Sequence, residues 1–258
     1  IVLDLEDAVA PAGKGDARAA LGAAARSLRS AGKRVMVRIN TEGQGYDGRD
    51  LQAALDAPLD ELLLPKVERE EALQAVEERI GRSAHAATLR LVLLVETARG
   101  LRDLPALLAA PARPRRATLG MADLCRDLGI DWISAVRDEP PLFVDEVTRL
   151  RVLSRACGCE PPLGCVYPLI DDEAGLRRNA TLEARLGYAG KFVIHPRQID
   201  VVESVFRPTS AEVARARAIV EAFERAQRAG AGAVQVEGLM VDEPVARAAY
   251  ALLERAGT

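Results

Sequence analysis

The chain has 258 residues, of which 49% are hydrophobic and 28% charged, with a formal net charge of −3. This length and composition are typical of one large globular domain, or of one domain with an appendage. The charge argues against a nucleic-acid-binding protein, and the apolar runs are far shorter than the ~20 residues that cross a membrane.

The first residues, IVLDL (1–5), form an apolar run already under way, so we expect a further segment to precede them. We expect no secretory signal. The chain has four cysteines, whose spacing fits neither a zinc site nor a disulfide framework: Cys125, Cys157, Cys159 and Cys165. We therefore expect reduced thiols and a cytoplasmic protein. With only two histidines, His85 and His195, a histidine-rich metal site is excluded.

Short apolar runs alternate with amphipathic segments along the first 207 residues. Runs that predict strands lie at 1–5, 34–39, 61–66, 89–95, 116–123, 163–169 and 191–196. Helices are predicted near 16–31, 69–80, 99–109, 142–157, 172–186 and 197–206, and the sequence NTEGQGYDGRD predicts a glycine-rich loop. Continuous apolar strands, each followed by a helix, favour a parallel sheet covered on its outer face.

Seven such units leave two α/β architectures open, a doubly wound sheet and a (β/α)₈ TIM barrel. The preceding segment would supply the eighth unit, and we favour the barrel. After Pro208 the pattern changes to a long helix with Ser210 as its N-cap, a hairpin turning at Glu237 and Gly238, and a last helix near 243–256. We therefore predict a barrel domain over 1–207 and a C-terminal arm or lid over 208–258.

Polar residues recur where the predicted strands end. They are Asp4, Glu6 and Asp7, then Arg38 and Asn40, Lys66 and Glu68, Glu96, Asp123, and His195. In a barrel these ends meet on the face where active sites form.

Three of these residues suggest specific chemistry. Glu96 and Asp123 offer the oxygen ligands that Mg²⁺ prefers, and Arg38 can hold a substrate carboxylate through two hydrogen bonds. Backbone N–H groups in LGMADL (119–124) can hold an anion. Structural alternatives remain open. Glu96 and Asp123 also suit helix caps, and Arg38 also suits an ion pair with Glu6 or Asp7.

Seven stretches together resemble the HpcH/HpaI aldolase and citrate lyase superfamily, and more closely the citrate lyase β-subunit-like proteins. They are spread over nearly all of the chain in the family's order: LDLEDAVAP (3–11), VRIN (37–40), LPKVE (64–68), VETARGL (95–101), LGMADLCRDLG (119–129), GYAGKFVIHPRQI (187–199) and GLMVDEPV (238–245). The resemblance implies a (β/α)₈ barrel with a C-terminal extension, commonly assembled into trimers.

The resemblance also implies a site. Mg²⁺ is expected on Glu96 and Asp123, and Arg38 is expected to grip the carboxylate of an oxo acid. Three further sets of residues complete the implied site: backbone N–H groups from Met121, Ala122 and Asp123 around the same anion; Glu6, Asp7 and Lys66 as surrounding support; and Lys191 and His195 near the thioester.

For the thioester side, a coenzyme A or acyl-carrier thioester is expected beside the barrel mouth. From the residues alone, Lys191 also suits a solvated strand start and His195 a hydrogen-bonded core histidine. The resemblance further implies that Asp242 reaches the site of a neighbouring subunit in a homotrimer. Two departures concern this side of the site: Leu239 replaces a lysine common in relatives, and the helix before Arg149 and Arg151 lacks a tyrosine.

The implied activity is Mg²⁺-dependent cleavage of a short β-hydroxyacyl thioester, such as citryl-, malyl- or citramalyl-CoA, into an acyl thioester and an oxo acid. Arg38 and the metal would stabilise the oxo acid, and Asp242 would act as acid or base on the thioester fragment. The alternatives are hydrolysis of a malyl-CoA-type thioester, a thioester-binding subunit of a citrate lyase complex, and an aldolase without thioester. The arm that carries Asp242 argues against the aldolase.

Overall fold

The computed structural model describes residues 1–84, 87–109, 112–137 and 142–257, so that His85 lies outside the described residues. The strands in chain order are β1 (Val2–Asp4), β2 (Met36–Arg38), β3 (Thr41–Glu42), β4 (Gly45–Tyr46), β5 (Glu61–Leu64), β6 (Arg90–Val95), β7 (Arg115–Leu119), β8 (Leu163–Gly164), β9 (Gly190–Lys191), β10 (Val234–Val236) and β11 (Leu239–Val241).

The helices are α1 (Lys14–Ser30), α2 (Gly48–Leu55), α3 (Glu70–Gly81), α4 (Ala98–Leu108), α5 (Met121–Leu128), α6 (Trp132–Arg137), α7 (Val144–Ala156), α8 (Glu173–Arg185), α9 (Arg197–Phe206), α10 (Ser210–Arg228) and α11 (Glu243–Ala256), with a 3₁₀ turn at Pro11–Gly13. None of these described helices is long and apolar enough to cross a membrane.

The chain divides into two compact units, Ile1–Gln198 and Ile199–Thr258. The first contains a parallel sheet in the order β1-β2-β5-β6-β7 and a separate parallel pair, β8-β9. The parallel arrangement predicted from continuous apolar runs is confirmed. The domain boundary predicted at 207/208 stays a prediction.

The inner face of the first unit is an apolar cluster that connects the two groups of strands. Met36, Leu63, Val92 and Leu94 from the larger sheet are buried together, and Leu163 and Phe192 pack against them. The strands are shorter than the apolar runs suggested. Of the run 163–169 only β8 is a strand, and the run 191–196 begins at the last residue of β9. The predicted glycine-rich loop contains the antiparallel pair β3-β4.

The second unit is built on packing between α10 and α11. Val220 and Phe223 from α10 are buried with Ala246 from α11. The predicted turn between β10 and β11 is confirmed: Glu237 and Gly238 have φ of 50° and 82°, as a two-residue hairpin turn requires.

The predicted N-cap of α10 was wrong by one residue. Thr209 is the cap, because its hydroxyl accepts from the Glu212 N–H while the Glu212 side chain accepts from the Thr209 N–H. This reciprocal capping box leaves Ser210 as the first helical residue.

Candidate active site

The polar residues that follow the strands of the larger sheet lie together. Arg38 at the end of β2 pairs with Asp4 at the end of β1 and with Glu6 just beyond it. Lys66, after β5, contacts Glu6 and approaches Glu96, which follows β6. The parallel register therefore brings four strand ends into one charged cluster.

Glu96 is almost fully buried, with 2% exposure, and the residue that holds its carboxylate is Lys66. Its Oε1 accepts from the Lys66 backbone N–H at 2.9 Å, and Lys66 Nζ lies 4.0 Å from the same oxygen. Burial raises the pKa of Glu96 to about 8; the charges of Asp123 and Glu6 act in the same direction, and Lys66 opposes them. The helix-cap alternative is wrong, because Thr97 caps α4 through the Gly100 N–H.

The backbone at Lys66 has a left-handed conformation, with φ of 50°. A residue with a Cβ rarely adopts this conformation, and when it does the strain commonly marks a functional site. The N–H of this residue holds Glu96, while its ammonium donates to Glu6 Oε1 at 2.5 Å. Lys66 thus supports two carboxylates with two different groups.

Asp123 is brought to the cluster by the turn that starts α5. Gly120 is the N-cap of α5, so the alternative that Asp123 caps this helix is wrong. Asp123 is the third helical residue, and its Oδ1 lies 2.6 Å from Arg126 Nη2. A Cβ at Gly120 would overlap the carboxylate of Glu96, which shows how closely this turn passes the Glu96 side chain.

Anion binding at the same turn is consistent with the helix geometry. The N–H groups of Met121, Ala122 and Asp123 occupy the first turn of α5, where a helix supplies no acceptor for them. The partial positive charge of the helix N-terminus adds to their attraction for an anion.

Glu96 and Asp123 fit the predicted Mg²⁺ site. The charge of Asp123 adds to the rise in the pKa of Glu96, and a divalent cation held by both carboxylates would relieve this repulsion. Among the described residues, no group of three or more His, Cys, Asp or Glu is arranged to hold a metal. Mg²⁺ does not require one, since it commonly binds one or two carboxylates and completes its shell with water and substrate oxygens.

Arg38 is oriented by two acidic neighbours. Its Nε and Nη2 donate to the two oxygens of Asp4 at 2.7 and 2.5 Å, and Nη1 lies 2.9 Å from Glu6 Oε2. Burial alone would raise the pKa of Asp4. Hydrogen bonds from Arg38 and from the backbone N–H groups of Glu6 and Ala8 outweigh burial and hold this pKa below its usual value. The ion-pair alternative is thus confirmed for Glu6, while Asp7 is exposed and acts on Arg38 through its charge.

The side chain of Lys191 has no exposed surface. Its ammonium donates to Glu183 at 3.0 and 3.1 Å and to Asn179 at 2.5 Å, which uses its three protons. The solvated alternative is therefore wrong. His195 is half-buried, and its Nδ1 accepts from the Arg197 N–H at 3.2 Å. The roles of both residues towards a thioester stay predictions.

Asp242 lies in the second unit and caps α11, accepting from the Val245 N–H at 3.4 Å. It is half-buried. Its action on a neighbouring subunit stays a prediction.

Tyr46 was missed by the sequence analysis. It lies in β4, and burial raises the pKa of its phenol, with further contributions from the charges of Glu96 and Glu68. The phenol thus lies within electrostatic range of the proposed metal ligand. The only sequence signal was a single aromatic residue within a glycine-rich stretch, which by itself predicts a loop.

Comparison with known proteins places the chain in a family. The model of the HpcH/HpaI aldolase/citrate lyase family matches residues 1–196. This chain is a member of the HpcH/HpaI aldolase/citrate lyase family. A second model, a C–C bond lyase of the TIM-barrel fold, matches residues 156–258 of this family member and confirms the predicted barrel class.

Relatives of this family member include enzymes of two activities. A (3S)-malyl-CoA thioesterase of Cereibacter sphaeroides is 34% identical over 94% of this chain and 81% of its own length. An L-malyl-CoA/β-methylmalyl-CoA lyase of Rhodobacter capsulatus is 30% identical over 99% and 86%. The protein CitE of Mycobacterium tuberculosis, solved with magnesium, acetoacetate and coenzyme A, is 31% identical with a TM-score of 0.78, covering 100% of this chain and 89% of its own.

Proposed function

We propose that this family member is a Mg²⁺-dependent lyase that cleaves a short β-hydroxyacyl-CoA thioester into an acyl thioester and an oxo acid. Citryl-, malyl- and citramalyl-CoA are the substrate candidates. The observation that carries the proposal is the buried Glu96, which lies near Asp123 and is linked to Arg38 through Lys66 and Glu6 where strands of one parallel sheet end. The lyase among the relatives and the magnesium and coenzyme A bound to the related CitE support it.

In this mechanism Arg38 binds the carboxylate of the oxo-acid part of the substrate. Asp4 occupies Nε and one N–H of Nη2. The second N–H of Nη2 remains for the substrate, as do the N–H groups of Nη1, which lies 2.9 Å from Glu6 Oε2 without a hydrogen bond to it. Because Asp4 is itself held by backbone N–H groups, the guanidinium is oriented before the substrate arrives.

Glu96 and Asp123 would hold Mg²⁺, which supplies Lewis-acid stabilisation to the oxygens of the substrate when bound. The N–H groups at the start of α5 stabilise the same anionic end of the substrate. Asp242 would give a proton to the thioester fragment as it leaves and remove it in the condensing direction.

Hydrolysis of the thioester is the second candidate, and the thioesterase at 34% identity favours it. Purified protein alone, with Mg²⁺ and a panel of hydroxyacyl-CoAs, separates the two. Release of an acyl-CoA and an oxo acid identifies a lyase, whereas release of free coenzyme A identifies a hydrolase. Absence of turnover with every thioester would refute both.

We further propose that the protein is a homotrimer in which Asp242 serves a neighbouring subunit. Glu96→Gln and Asp242→Asn variants would each be inactive alone. Co-expressed in equal amounts, they would form mixed trimers that recover about a quarter of the wild-type activity, because sites with Glu96 from one subunit and Asp242 from the next are then intact. A fully active monomer, or mixed trimers without activity, would contradict this arrangement.

A further inference from the structure

Glu6 has one carboxylate oxygen that is left without a hydrogen bond. Its side chain is 6% exposed, and Oε1 accepts from Lys66 Nζ at 2.5 Å. Oε2 lies 2.9 Å from Arg38 Nη1, yet no N–H of Arg38 is directed at it. Within the part of the chain that the structure describes, this oxygen has no hydrogen-bond partner.

Such an atom calls for an explanation, because buried acceptors are nearly always satisfied and an unsatisfied one costs about 1–3 kcal/mol. Lys66 and Arg38 both lie beside Glu6, but only Lys66 donates a hydrogen bond to it, and that bond goes to Oε1. The arrangement suits a carboxylate that receives a donor from a bound molecule.

The position of Glu6 indicates which donor this is. On one side lies Arg38, the proposed partner of the substrate carboxylate; on the other lies Lys66, whose N–H holds Glu96. In a 2-hydroxy acid the hydroxyl and the carboxylate are bonded to the same carbon. A substrate gripped by Arg38 and directed towards Glu96 therefore brings its hydroxyl next to Glu6.

We propose that Glu6 is the catalytic residue that accepts the proton of the substrate hydroxyl through Oε2 as the C–C bond breaks. This inference rests on the proposed lyase function. The O–H bond breaks and its proton moves to Glu6, while the oxygen's electron pair forms the carbonyl of the oxo acid. The electrons of the C–C bond pass to the thioester fragment, which leaves as an enolate and takes its proton from a separate acid. Glu6 then returns its proton to solvent.

The surroundings of Glu6 suit this role. Burial raises the pKa of its carboxyl above the usual value, partly offset by Lys66 and Arg38, so that it is a stronger base than an exposed glutamate. The lysine also fixes Oε1, and this leaves Oε2 as the oxygen available to the substrate. Glu6 would thus act on the hydroxyl, and Asp242 on the thioester fragment.

Glu6→Gln tests proton transfer from the substrate hydroxyl separately from proton transfer at the α-carbon of the thioester fragment. Wild-type turnover of the hydroxyacyl-CoA panel is measured first, and its absence would remove the lyase function before Glu6 is tested. We expect Glu6→Gln to lower kcat about 10²- to 10⁴-fold. The KM for the thioester and the Kd for Mg²⁺ should stay within about threefold, since neither depends on a proton acceptor for the hydroxyl.

NMR can follow the exchange of the acyl-CoA α-protons with D₂O, in the presence of Mg²⁺ and of oxalate as an unreactive mimic of the oxo acid. This exchange should persist in Glu6→Gln. The same exchange should be lost in Asp242→Asn. Glu71→Gln, on a side chain that is 82% exposed, is the matched control and should behave as wild type.

Two results would overturn the proposal. If Glu6→Gln keeps the wild-type kcat, no proton passes through Glu6. If it loses α-proton exchange or Mg²⁺ affinity as well as turnover, Glu6 only positions Arg38 and Lys66. Should Glu6→Gln fail to fold, as judged by circular dichroism, Glu6→Asp provides the same test, because it keeps the charge but withdraws the carboxylate by one methylene. It should lower kcat at least about tenfold with exchange retained, and unchanged kcat would refute the role.

Discussion

Replacing Gly120 by alanine tests whether the turn into α5 positions the metal ligand. The φ of Gly120 is −94°, so the backbone itself accepts alanine. The added Cβ would lie 2.6 Å from the Cβ and 3.1 Å from the carboxyl carbon of Glu96. Since carbon atoms normally approach to about 3.5–4.0 Å, the nearer contact is short by about 1 Å.

Relieving an overlap of this kind in a packed interior costs about 1–3 kcal/mol. Because the Glu96 Cβ is fixed to the backbone, the metal-free protein can relieve the contact only by a shift of this backbone, whereas the metal-bound protein must keep the carboxylate in place. The cost then appears as a loss of Mg²⁺ affinity of about 5- to 150-fold, at 1.4 kcal/mol per factor of ten.

The assay is calorimetric titration with Mg²⁺, together with thermal unfolding with and without the metal. Gly15→Ala is the control, because a Cβ at Gly15 in α1 would meet nothing within 4 Å. Alanine is also the better helix former there, so we expect unchanged Mg²⁺ affinity and equal or higher stability. Wild-type Mg²⁺ affinity in Gly120→Ala would refute the view that this contact holds Glu96 in position.

Three further predictions concern the metal site and the buried ion pair. Glu96→Gln and Asp123→Asn should each abolish Mg²⁺-dependent activity and leave a folded protein; a bound ion still detected by titration would show that the ligands are misassigned. The Glu96 carboxyl, with its pKa of about 8, must lose its proton to bind the cation. Mg²⁺ affinity should therefore rise up to about tenfold per pH unit below pH 8 and level off above pH 8. A Mg²⁺ affinity that stays constant from pH 6 to 9 would contradict this. Lys191→Met should destabilise the protein by about 3–5 kcal/mol, because it leaves the Glu183 carboxylate buried without its cation. Lys33→Met, at an exposed lysine, is the control. Equal melting temperatures of the two variants would show that the ion pair between Lys191 and Glu183 contributes nothing to stability.

Much of the site followed from local pattern. A parallel strand that ends in an acid can be recognised from an apolar run such as LVLLVE, and parallel strands place their carboxyl ends on one side of a sheet. Glu96, Arg38 and Lys66 could therefore be expected to be neighbours before any coordinates were known. The residue types suggested a metal ligand at Glu96 and a carboxylate-binding group at Arg38, and the family resemblance supplied the substrate class and the supporting role of Lys66.

Contacts between distant side chains could not be predicted in the same way. Lys191 begins the apolar run 191–196 whether its ammonium reaches water or Glu183. Only the packing of α8 against β9 decided for the buried pair. The hydrogen bonds from Arg38 to Asp4 likewise depend on the register of β1 against β2. A shift of one residue would have sent these side chains to opposite faces.

The sequence by itself determined the alternation of strands and helices, the edge where the polar residues gather and the family to which they belong, because these depend on periodicity and on short motifs. Only the tertiary structure decided which partner each charged group takes. It made Gly120 the cap that passes beside Glu96, gave Lys66 its left-handed backbone, and left Oε2 of Glu6 without a partner. These features depend on distances of a few ångströms between segments far apart in the chain, which no local pattern records.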